Sequence, residues 1–345
     1  MGQGLVSIII PTFNRAHMVV DAIKSAIAQT YEQTQIIVID DGSQDATAEL
    51  VAEFPSVEYF YQENKGQAAA RNSGLALAKG QYIASLDSDD VWDVDFLKSA
   101  ISAIERYEVD FVFLNWREVV KGANASSDFE RNKALRNYYK NSGDSWSQLM
   151  PKDLRTLFLS GCIAPSSAIV ARRSSFFSNW NEKMKIGDDW YLMLEMVLMK
   201  PCRAAFTHVP HWTKNVHTSN IYHGRDDFEI VRDLGLHDEV IMAQDFHEQL
   251  TWREKAILKR RLSAHYFNFG RYSFKLYGFS LEVLRLMIRS IMLAPSGSVA
   301  YFFQLSFNHL TNRVRLAKER KRIITTSLAV ETAASKENPV VAPSK

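Results

Sequence analysis

Two aspartates separated by one residue are the first candidates for metal chemistry. Asp87, Ser88 and Asp89 directly follow a strand-like run at residues 82–86. Carboxylate oxygens are the ligands that Mg²⁺ and Mn²⁺ prefer, and both ions keep positions for water and substrate phosphates. An acidic turn that caps the following helix is the alternative, and an isolated Asp-x-Asp favours it. Because two other polar clusters also follow strands, we favour a metal site.

A second acidic pair, Asp40 and Asp41, follows a predicted strand at residues 35–39. In one interpretation this is an ordinary turn, with an aspartate as helix cap and Gly42 at positive φ. One carboxylate is enough for a cap. The other can accept a hydrogen bond from a nucleobase N–H or a ribose hydroxyl, as acidic residues after strands do in dinucleotide sites. The residues alone leave both interpretations open.

A glycine-containing loop precedes an alanine-rich helix. Lys65 and Gly66 come just before the predicted helix at residues 68–78, and Arg71 lies near its start. Helix N-termini present unpaired N–H groups to anions, and a guanidinium binds a phosphate through two parallel hydrogen bonds. A solvent-exposed helix face is an equally good interpretation of Arg71.

A third acidic pair, Asp188 and Asp189, begins a helical stretch beside Trp190. A carboxylate next to an aromatic ring in a cleft can act as a general base, because burial and neighbouring charge tune its pKa. Capping of the helix N-terminus is the alternative. His217 is a candidate metal ligand or phosphate donor, although a single histidine is more often structural.

These clusters need elements that bring them together. The first 120 residues alternate between strand and helix signals, and Pro11, Thr12 and Asn14 follow the first strand. The alternation predicts an α/β fold with a mainly parallel central sheet flanked by helices, whose ligands bind at the carboxyl ends of the strands. After about residue 223 helix signals dominate. The predicted strands are residues 6–10, 35–39, 57–61, 82–86 and 168–171, and the predicted helices are 18–27, 46–54, 68–78 and 188–199.

Composition narrows the class of protein. A chain of 345 residues exceeds the roughly 250–300 at which a single core stops growing, which predicts a large domain and a smaller C-terminal unit. A net charge of +2 argues against nucleic-acid binding as the main activity. The two cysteines, Cys162 and Cys202, are expected to be buried fillers in a reducing compartment. Without a signal-peptide pattern or an apolar run of roughly 18 residues, we expect a cytoplasmic protein with at most peripheral membrane contact.

Four ordered blocks, at residues 6–15, 37–43, 64–74 and 83–92, together resemble the inverting family 2 glycosyltransferases with a GT-A (Rossmann-like) fold, of the type used in bacterial polysaccharide biosynthesis. The resemblance implies that Asp41 binds the nucleobase, with Asp40 beside it. Asp188 and Asp189 resemble the Glu-Asp pair of that family, in which the Asp is the base. Asp188 replaces the usual Glu, which leaves the assignment between the two carboxylates open, and we expect Asp189 to be the base.

The expected site follows from the blocks and the resemblance. Donor-binding residues are expected to be Pro11, Thr12, Asn14, Asp40, Asp41, Lys65, Arg71, Asp87 and Ser88; metal ligands Asp87, Asp89 and His217; and catalytic residues Asp189 and Asp188. His217 resembles a histidine found in a loop that folds over the diphosphate. The implied cofactor is Mn²⁺ or Mg²⁺, and the nucleotide-sugar donor is the co-substrate.

The resemblance implies a metal-dependent inverting hexosyltransferase. Its donor is a nucleoside diphosphate sugar, with UDP-sugar as the default, and its acceptor is a hydroxyl of a saccharide or lipid-linked molecule in cell-surface polysaccharide synthesis. A sugar-phosphate nucleotidyltransferase is the main alternative, although the glycine-rich loop typical of such enzymes is missing after the first strand. The second alternative is a non-catalytic protein that binds sugar nucleotides.

The predicted domains are a catalytic domain at residues 1–225, a helical region at 226–324 and a disordered tail at 325–345. Residues 281–293 form a predicted amphipathic helix, and a basic cluster follows at residues 313–322. This combination suits peripheral contact with an anionic inner membrane surface. A helix that packs on the catalytic domain, followed by a solvated basic tail, is the alternative.

Overall fold

The computed structural model of the chain describes residues 4–120, 123–124, 129, 133–139, 145–217, 220 and 224–295. The chain divides into two compact units, residues 1–265 and 266–345. The predicted boundary at residue 225 separates regions by element type, whereas the observed division follows contacts, so the helical residues 226–265 group with the first unit.

The first half of the central sheet consists of parallel strands with helices between them. The strands are β1 (Val6–Thr12), β2 (Thr34–Asp40), β3 (Val57–Tyr61) and β4 (Tyr82–Ser85), and the helices are α1 (Ala16–Ile27), α2 (Thr47–Val51) and α3 (Gln67–Leu77). Their order across the sheet is β3-β2-β1-β4, with every pair parallel. The strands and helices predicted from the sequence in this half are confirmed.

The second half of the sheet is mixed. Its elements are β5 (Asp90–Trp92), α4 (Phe96–Tyr107), β6 (Phe111–Val120), β7 (Ala123–Asn124), α5 (Lys133–Arg136), β8 (Trp146–Leu149), α6 (Pro151–Ser160), β9 (Ile169–Arg172), α7 (Asp188–Met199) and β10 (Ala204–Val216). The order continues β4-β9-β6-β10-β5, in which β9 runs antiparallel to both of its neighbours and β10 runs parallel to β6. The α/β class with a central sheet and flanking helices is confirmed, and its parallel part is the first half.

Alternation along β1 explains how the sheet is covered on both faces. Successive side chains of a strand point to opposite faces. Ile8 and Ile10 belong to the large hydrophobic cluster that includes Val19 of α1, whereas Ile9 belongs to a second cluster with Leu75 of α3. All seven residues of β1 are buried, as expected for a parallel strand between two helical layers. The strand ends are therefore fixed rigidly at the sheet edge.

Most of the described residues after residue 226 are helical, as predicted. They form α8 (Asp227–Ile230), a π-helix at Val231–Asp238, α9 (Glu239–Asp245), α10 (Trp252–Tyr277) and α11 (Leu281–Leu293). The predicted amphipathic helix at 281–293 is confirmed as α11. Within the described part of the chain, none of the helices combines the length and apolar character needed to span a bilayer. The basic cluster at 313–322 and the tail at 325–345 lie outside the described residues.

Candidate active site

A cleft of about 550 Å³ opens at the carboxyl ends of β1, β2 and β4. This is the edge where ligands bind in open α/β sheets. The cleft brings together most of the residues predicted from the sequence: Pro11, Thr12, Asp41, Arg71, Asp87, Ser88, Asp89 and Asp189. Asn14, Asp40, Lys65, Asp188 and His217 do not line it, and their contacts show what each does instead.

The adjacent carboxylates Asp40 and Asp41 have different surroundings. Asp40, buried at the end of β2, accepts hydrogen bonds from the Ser43 backbone N–H (2.8 Å) and the Tyr59 hydroxyl (2.8 Å). One of its oxygens thus holds the turn after β2, and the other is bound by a side chain of the neighbouring strand β3. Asp41 lines the cleft and accepts hydrogen bonds from the backbone N–H groups of Lys65 (2.9 Å) and Gly66 (2.7 Å). The acid placed to meet a ligand is Asp41.

Loop residues around Asp41 brace this end of the cleft. Lys65 contributes through its backbone rather than its side chain. Asn14, at φ 51°, accepts a hydrogen bond from Gln44 N–H (2.9 Å) and so ties the loop after β1 to the loop after β2. The Thr12 hydroxyl is buried against the cleft and has no hydrogen-bond partner among the described residues. Such an orphaned group costs free energy unless a ligand pairs with it.

Three carboxylates meet in the middle of the cleft. Oxygen atoms of Asp87, Asp89 and Asp90 lie within 4.8 Å of one another. Asp90 was not predicted from the sequence; it is buried at the start of β5 and accepts a hydrogen bond from the Ser167 hydroxyl (2.7 Å). Burial and the charges of Asp89 and Asp87 raise the pKa of Asp90. This all-oxygen set fits a hard divalent ion such as Mg²⁺ or Mn²⁺.

Basic and amide groups surround these acids. The Asp89 carboxylate accepts hydrogen bonds from Arg15 Nη1 (2.6 Å) and Asn220 Nδ2 (2.9 Å), and His217 Nε2 lies 3.1 Å from the same oxygen. On the other side, Arg71 Nη2 lies 2.6 Å from Asp87 Oδ1. The structure therefore places His217 against Asp89 and pairs each aspartate of the Asp-x-Asp motif with a guanidinium.

The third acidic pair is also divided between two environments. Asp188, the first residue of α7, is buried and forms an ion pair with Arg71 and a hydrogen bond with Gln67 Nε2 (2.7 Å). Asp189 lines the cleft and accepts a hydrogen bond from Ser166 N–H (3.1 Å). Burial and the charge of Asp188 raise the pKa of Asp189 to about 7, although Arg71 acts in the opposite direction. Asp188 is thus paired with Arg71 away from the cleft, whereas Asp189 lines the cleft.

The comparison that identifies the chain concerns this same region. Residues 7–177, which run from the second residue of β1 past the end of β9 and include the Asp-x-Asp motif, match the family described as Glycosyl transferase family 2. The chain belongs to glycosyltransferase family 2. The resemblance of the four sequence blocks is confirmed.

Curated relatives agree with the family. The chain is 36% identical over 145 residues to the Escherichia coli UDP-Glc:alpha-D-GlcNAc-diphosphoundecaprenol beta-1,3-glucosyltransferase WfgD, covering 40% of this chain and 57% of WfgD. It is 42% identical over 111 residues to a glycosyltransferase of Rickettsia conorii, covering 31% of this chain and 18% of that protein. The chain therefore spans less than two thirds of the length of these relatives.

A solved structure shares the fold. The Staphylococcus aureus TarS 1–349 structure superimposes with a TM-score of 0.60 at 17% identity, covering 86% of this chain and 82% of TarS 1–349. A second TarS structure, in complex with UDP-GlcNAc, gives a TM-score of 0.60 at 18% identity, covering 83% of this chain and 79% of that one. At such identity the likeness shows the GT-A fold.

Sequence analysis did not predict one residue of this cleft, Lys214, and it predicted the wrong surroundings for another, Cys162. Lys214, on β10, lines the cleft and is the cross-strand partner of Asp90. Burial opposes its charge, but Asp90, Asp87 and Asp189 together raise the pKa of Lys214, so it stays protonated. Cys162 was expected to be a buried filler, which is wrong: it is exposed and lines the cleft, because it lies in the loop after α6 rather than in the core. Cys202 is buried as predicted.

Proposed function

We propose that this chain is an inverting hexosyltransferase that moves a sugar from a UDP-sugar to a hydroxyl of a saccharide or lipid-linked acceptor in cell-surface polysaccharide synthesis. One observation carries the proposal: Asp41, the acids Asp87 and Asp89, and Asp189 line a single cleft. These are the groups that nucleoside binding, metal binding and proton removal require. The WfgD name, with its UDP-Glc donor and lipid-diphosphate-linked acceptor, and the TarS complex with UDP-GlcNAc support this choice of substrates.

The donor is proposed to lie with its nucleobase at Asp41. A uracil N–H donating to this carboxylate would add to the two backbone N–H groups and the Gln62 side-chain amide that already orient it. Thr12 lines the same cleft, and its buried hydroxyl, which has no hydrogen-bond partner among the described residues, would pair with the nucleoside. From there the diphosphate extends toward the Asp-x-Asp motif. Arg15 and Lys214 border this path and offer positive charge to it.

Asp87, Asp89 and Asp90 would hold a divalent cation, with His217 beside them. When bound, such an ion offsets the charge that develops on the departing nucleoside diphosphate. Arg71 forms ion pairs with both Asp87 and Asp188, and so fixes the distance between this acidic cluster and the N-terminus of α7. Because Arg71 is fully buried, this arrangement is rigid.

Asp189 is proposed as the general base, with Asp188 as its positioning neighbour. The acceptor hydroxyl oxygen forms a bond to the anomeric carbon as the bond between that carbon and the diphosphate oxygen breaks. The hydroxyl proton passes to Asp189, and the nucleoside diphosphate leaves with the bonding electrons. Attack from the face opposite the leaving group inverts the anomeric configuration. A base with a pKa near the working pH suits this proton transfer.

We further propose that the C-terminal unit contacts an anionic membrane that carries the acceptor. In α11 the apolar face is exposed at Leu281, Leu284, Ile288 and Ile291. An amphipathic helix of this kind binds in the headgroup region, where basic side chains add attraction. Sedimentation of the full chain with anionic liposomes, but not with neutral ones, is the expected result. Equal recovery in the supernatant with both would contradict the membrane contact.

A product assay tests the transferase. The full chain is incubated with Mn²⁺, a panel of UDP-, GDP- and dTDP-sugars, and a synthetic GlcNAc-diphosphoryl-alkyl acceptor. We expect acceptor-dependent release of UDP, an added hexose in the product mass, and the opposite anomeric configuration by NMR. A chelator should abolish transfer.

Two other outcomes separate the alternatives. Release of pyrophosphate from a nucleoside triphosphate and a sugar 1-phosphate would indicate a nucleotidyltransferase. Tight UDP-sugar binding without either product would indicate a non-catalytic binding protein.

A further inference from the structure

A buried carboxylate binds the loop that leads into α7, the helix that carries the proposed base Asp189. Asp238 is fully buried, and it accepts hydrogen bonds from three successive backbone N–H groups: Lys185 (2.9 Å), Ile186 (2.8 Å) and Gly187 (2.8 Å). Gly187 is the N-cap of α7, two residues before Asp189. The carboxylate therefore fixes the backbone immediately before the proposed base.

Helix start geometry explains why this contact matters. The first N–H groups of a helix and of the loop before it have no partner within the helix and need outside acceptors. Gly187 has no side chain that could cap α7, and no side-chain cap is formed there. The Asp238 carboxylate supplies the acceptors for the loop and the N-cap residue, from Lys185 to Gly187, directly before the first helical residue. Hydrogen bonds from N–H groups to an ionised carboxylate are stronger than those to a neutral acceptor.

The segment that supplies Asp238 is the π-helix Val231–Asp238. Residues five apart in a π-helix are about one turn apart, because its hydrogen bonds join residue i to i+5. In an α-helix of 3.6 residues per turn the same spacing places side chains roughly 140° apart. The π-helix brings Asp233 and Asp238 to one side, where Asp233 meets the Lys185 ammonium (3.2 Å) and Asp238 meets the Lys185 N–H.

Packing around Gly187 leaves little room for the loop to shift. A β-carbon at Gly187 would lie 3.1 Å from Leu234 Cδ1 and 3.3 Å from Met242 Cε. Leu234, on the π-helix, also lines the cleft together with Ile186. The π-helix is thus in contact with both the loop and the cleft. π-helical turns occur frequently at functional sites.

We propose that Asp238 is a positioning residue for Asp189, acting through the backbone of residues 185–187. This inference rests on the proposed role of Asp189 as the base. Asp238 does not touch the reacting atoms; it sets where α7 begins and hence how far the Asp189 carboxylate reaches into the cleft. A misplacement of about 1 Å from a change outside the reacting centre can cost about 100-fold in rate.

The test compares two isosteric variants of the same π-helix. Asp238→Asn puts an amide N–H₂ against backbone N–H groups and loosens the loop. We expect kcat for sugar transfer to fall about 10–100-fold, while the KM for donor and the Kd for UDP with Mn²⁺ stay within about twofold. Asp233→Asn is the matched control, because Asp233 is equally buried but contacts Lys185 only through its ammonium. Its kcat should stay within about threefold of wild type.

Hydrogen exchange gives a readout that is independent of turnover. In the wild type the amide hydrogens of residues 185–187 should be protected from exchange. In Asp238→Asn these amides should lose more protection than the amides of the rest of the chain. If Asp238→Asn does not fold, the wild-type exchange still decides: unprotected amides at 185–187 overturn the proposal.

The proposal is also overturned if Asp238→Asn keeps wild-type kcat, or if Asp233→Asn loses as much. Failure of the proposed function looks different, because then the wild type itself transfers no sugar from any donor while the exchange pattern is unchanged.

Discussion

Replacing the proposed base by its isostere, Asp189→Asn, should lower activity and relieve instability at the same time. In the folded protein the pKa of Asp189 rises from 3.8 to about 7. Ionising this carboxyl in the folded state therefore costs about 4 kcal/mol at pH 7 and above, at about 1.4 kcal/mol per pKa unit. Asp189 is partly exposed to the cleft, and solvent screening reduces the cost to about 2–3 kcal/mol.

The direction of the pH effect on stability follows from the difference in proton binding between the folded and the unfolded chain. A carboxyl with a raised folded-state pKa destabilises the fold increasingly as pH rises from about 4 to 7, after which the cost is constant. Asparagine carries no such cost. It also loses one acceptor for the N–H groups of Ser166 and Trp190, but that loss does not change with pH. The stability of the variant relative to wild type should therefore improve by about 2 kcal/mol between pH 5 and pH 8.

Urea unfolding of metal-free wild type and variant at both pH values measures this difference. Initial rates of sugar transfer give the other half of the prediction. The wild-type kcat should increase as the pH rises through about 7. The kcat of the variant should be lower than that of the wild type by a factor of about 10²–10⁴. UDP affinity should not change, because Asp41 binds at the other end of the cleft. A variant with substantial activity, or a stability difference that is flat across pH, would refute the reasoning.

Asp188→Asn is the matched control, since it removes the neighbouring carboxylate that does not line the cleft. It breaks the buried pair with Arg71 and should destabilise the fold by about 3–5 kcal/mol. It also removes a charge that raises the pKa of Asp189, so the midpoint of the kcat–pH profile should move to lower pH. A variant as stable as wild type would show that the Arg71 pair is unimportant.

Three further substitutions test the charges in the cleft. Arg15→Gln should tighten Mn²⁺ binding without nucleotide about tenfold by electron paramagnetic resonance, because it removes a charged competitor for Asp89; unchanged affinity would contradict this. Asp41→Asn should weaken UDP binding about tenfold in calorimetry, since a charged acceptor becomes neutral, and an unchanged Kd would remove Asp41 from the nucleobase site. Lys214→Met should lower kcat/KM for the donor about tenfold, because the diphosphate path loses an ammonium group; wild-type kcat/KM would place Lys214 outside that path.

The sequence predicted the strand ends well because parallel strands leave strong local signals. Each buried β-branched run stops at a polar cluster, so the neighbourhood of Asp41, Asp87 and Asp89 follows from order along the chain. The different roles of Asp40 and Asp41 cannot be predicted from their order along the chain. They depend on the Tyr59 hydroxyl from the neighbouring strand and on backbone N–H groups of the loop at 65–66, which are contacts that no local pattern encodes.

Two of the residues missed by the sequence analysis, Lys214 and Asp90, lie on strands that it did not predict, and the third, Asp238, lies in a region predicted only as helical. Lys214 reaches the cleft from β10, and its pairing with Asp90 joins residues far apart in the sequence. Asp238 lies in a π-helix, whose spacing matches neither of the periodicities used to recognise helices and strands. Asp90 was adjacent to the predicted motif, but only the three-dimensional arrangement shows that its carboxylate turns toward the same point as Asp87 and Asp89.

Electrostatics explains why a cleft of this kind needs so many fixed contacts. Carboxylates outnumber cationic side chains at its centre: the acids are Asp87, Asp89, Asp90, Asp188 and Asp189, and the cations are Arg15, Arg71 and Lys214. Burial, together with like charges at such short range, disfavours the ionised acids and raises the pKa values of Asp90 and Asp189. A divalent cation relieves that repulsion, and the donor diphosphate brings charge of the opposite sign to the ion. Each should therefore strengthen the binding of the other by the same factor, since coupling between two binding sites is reciprocal.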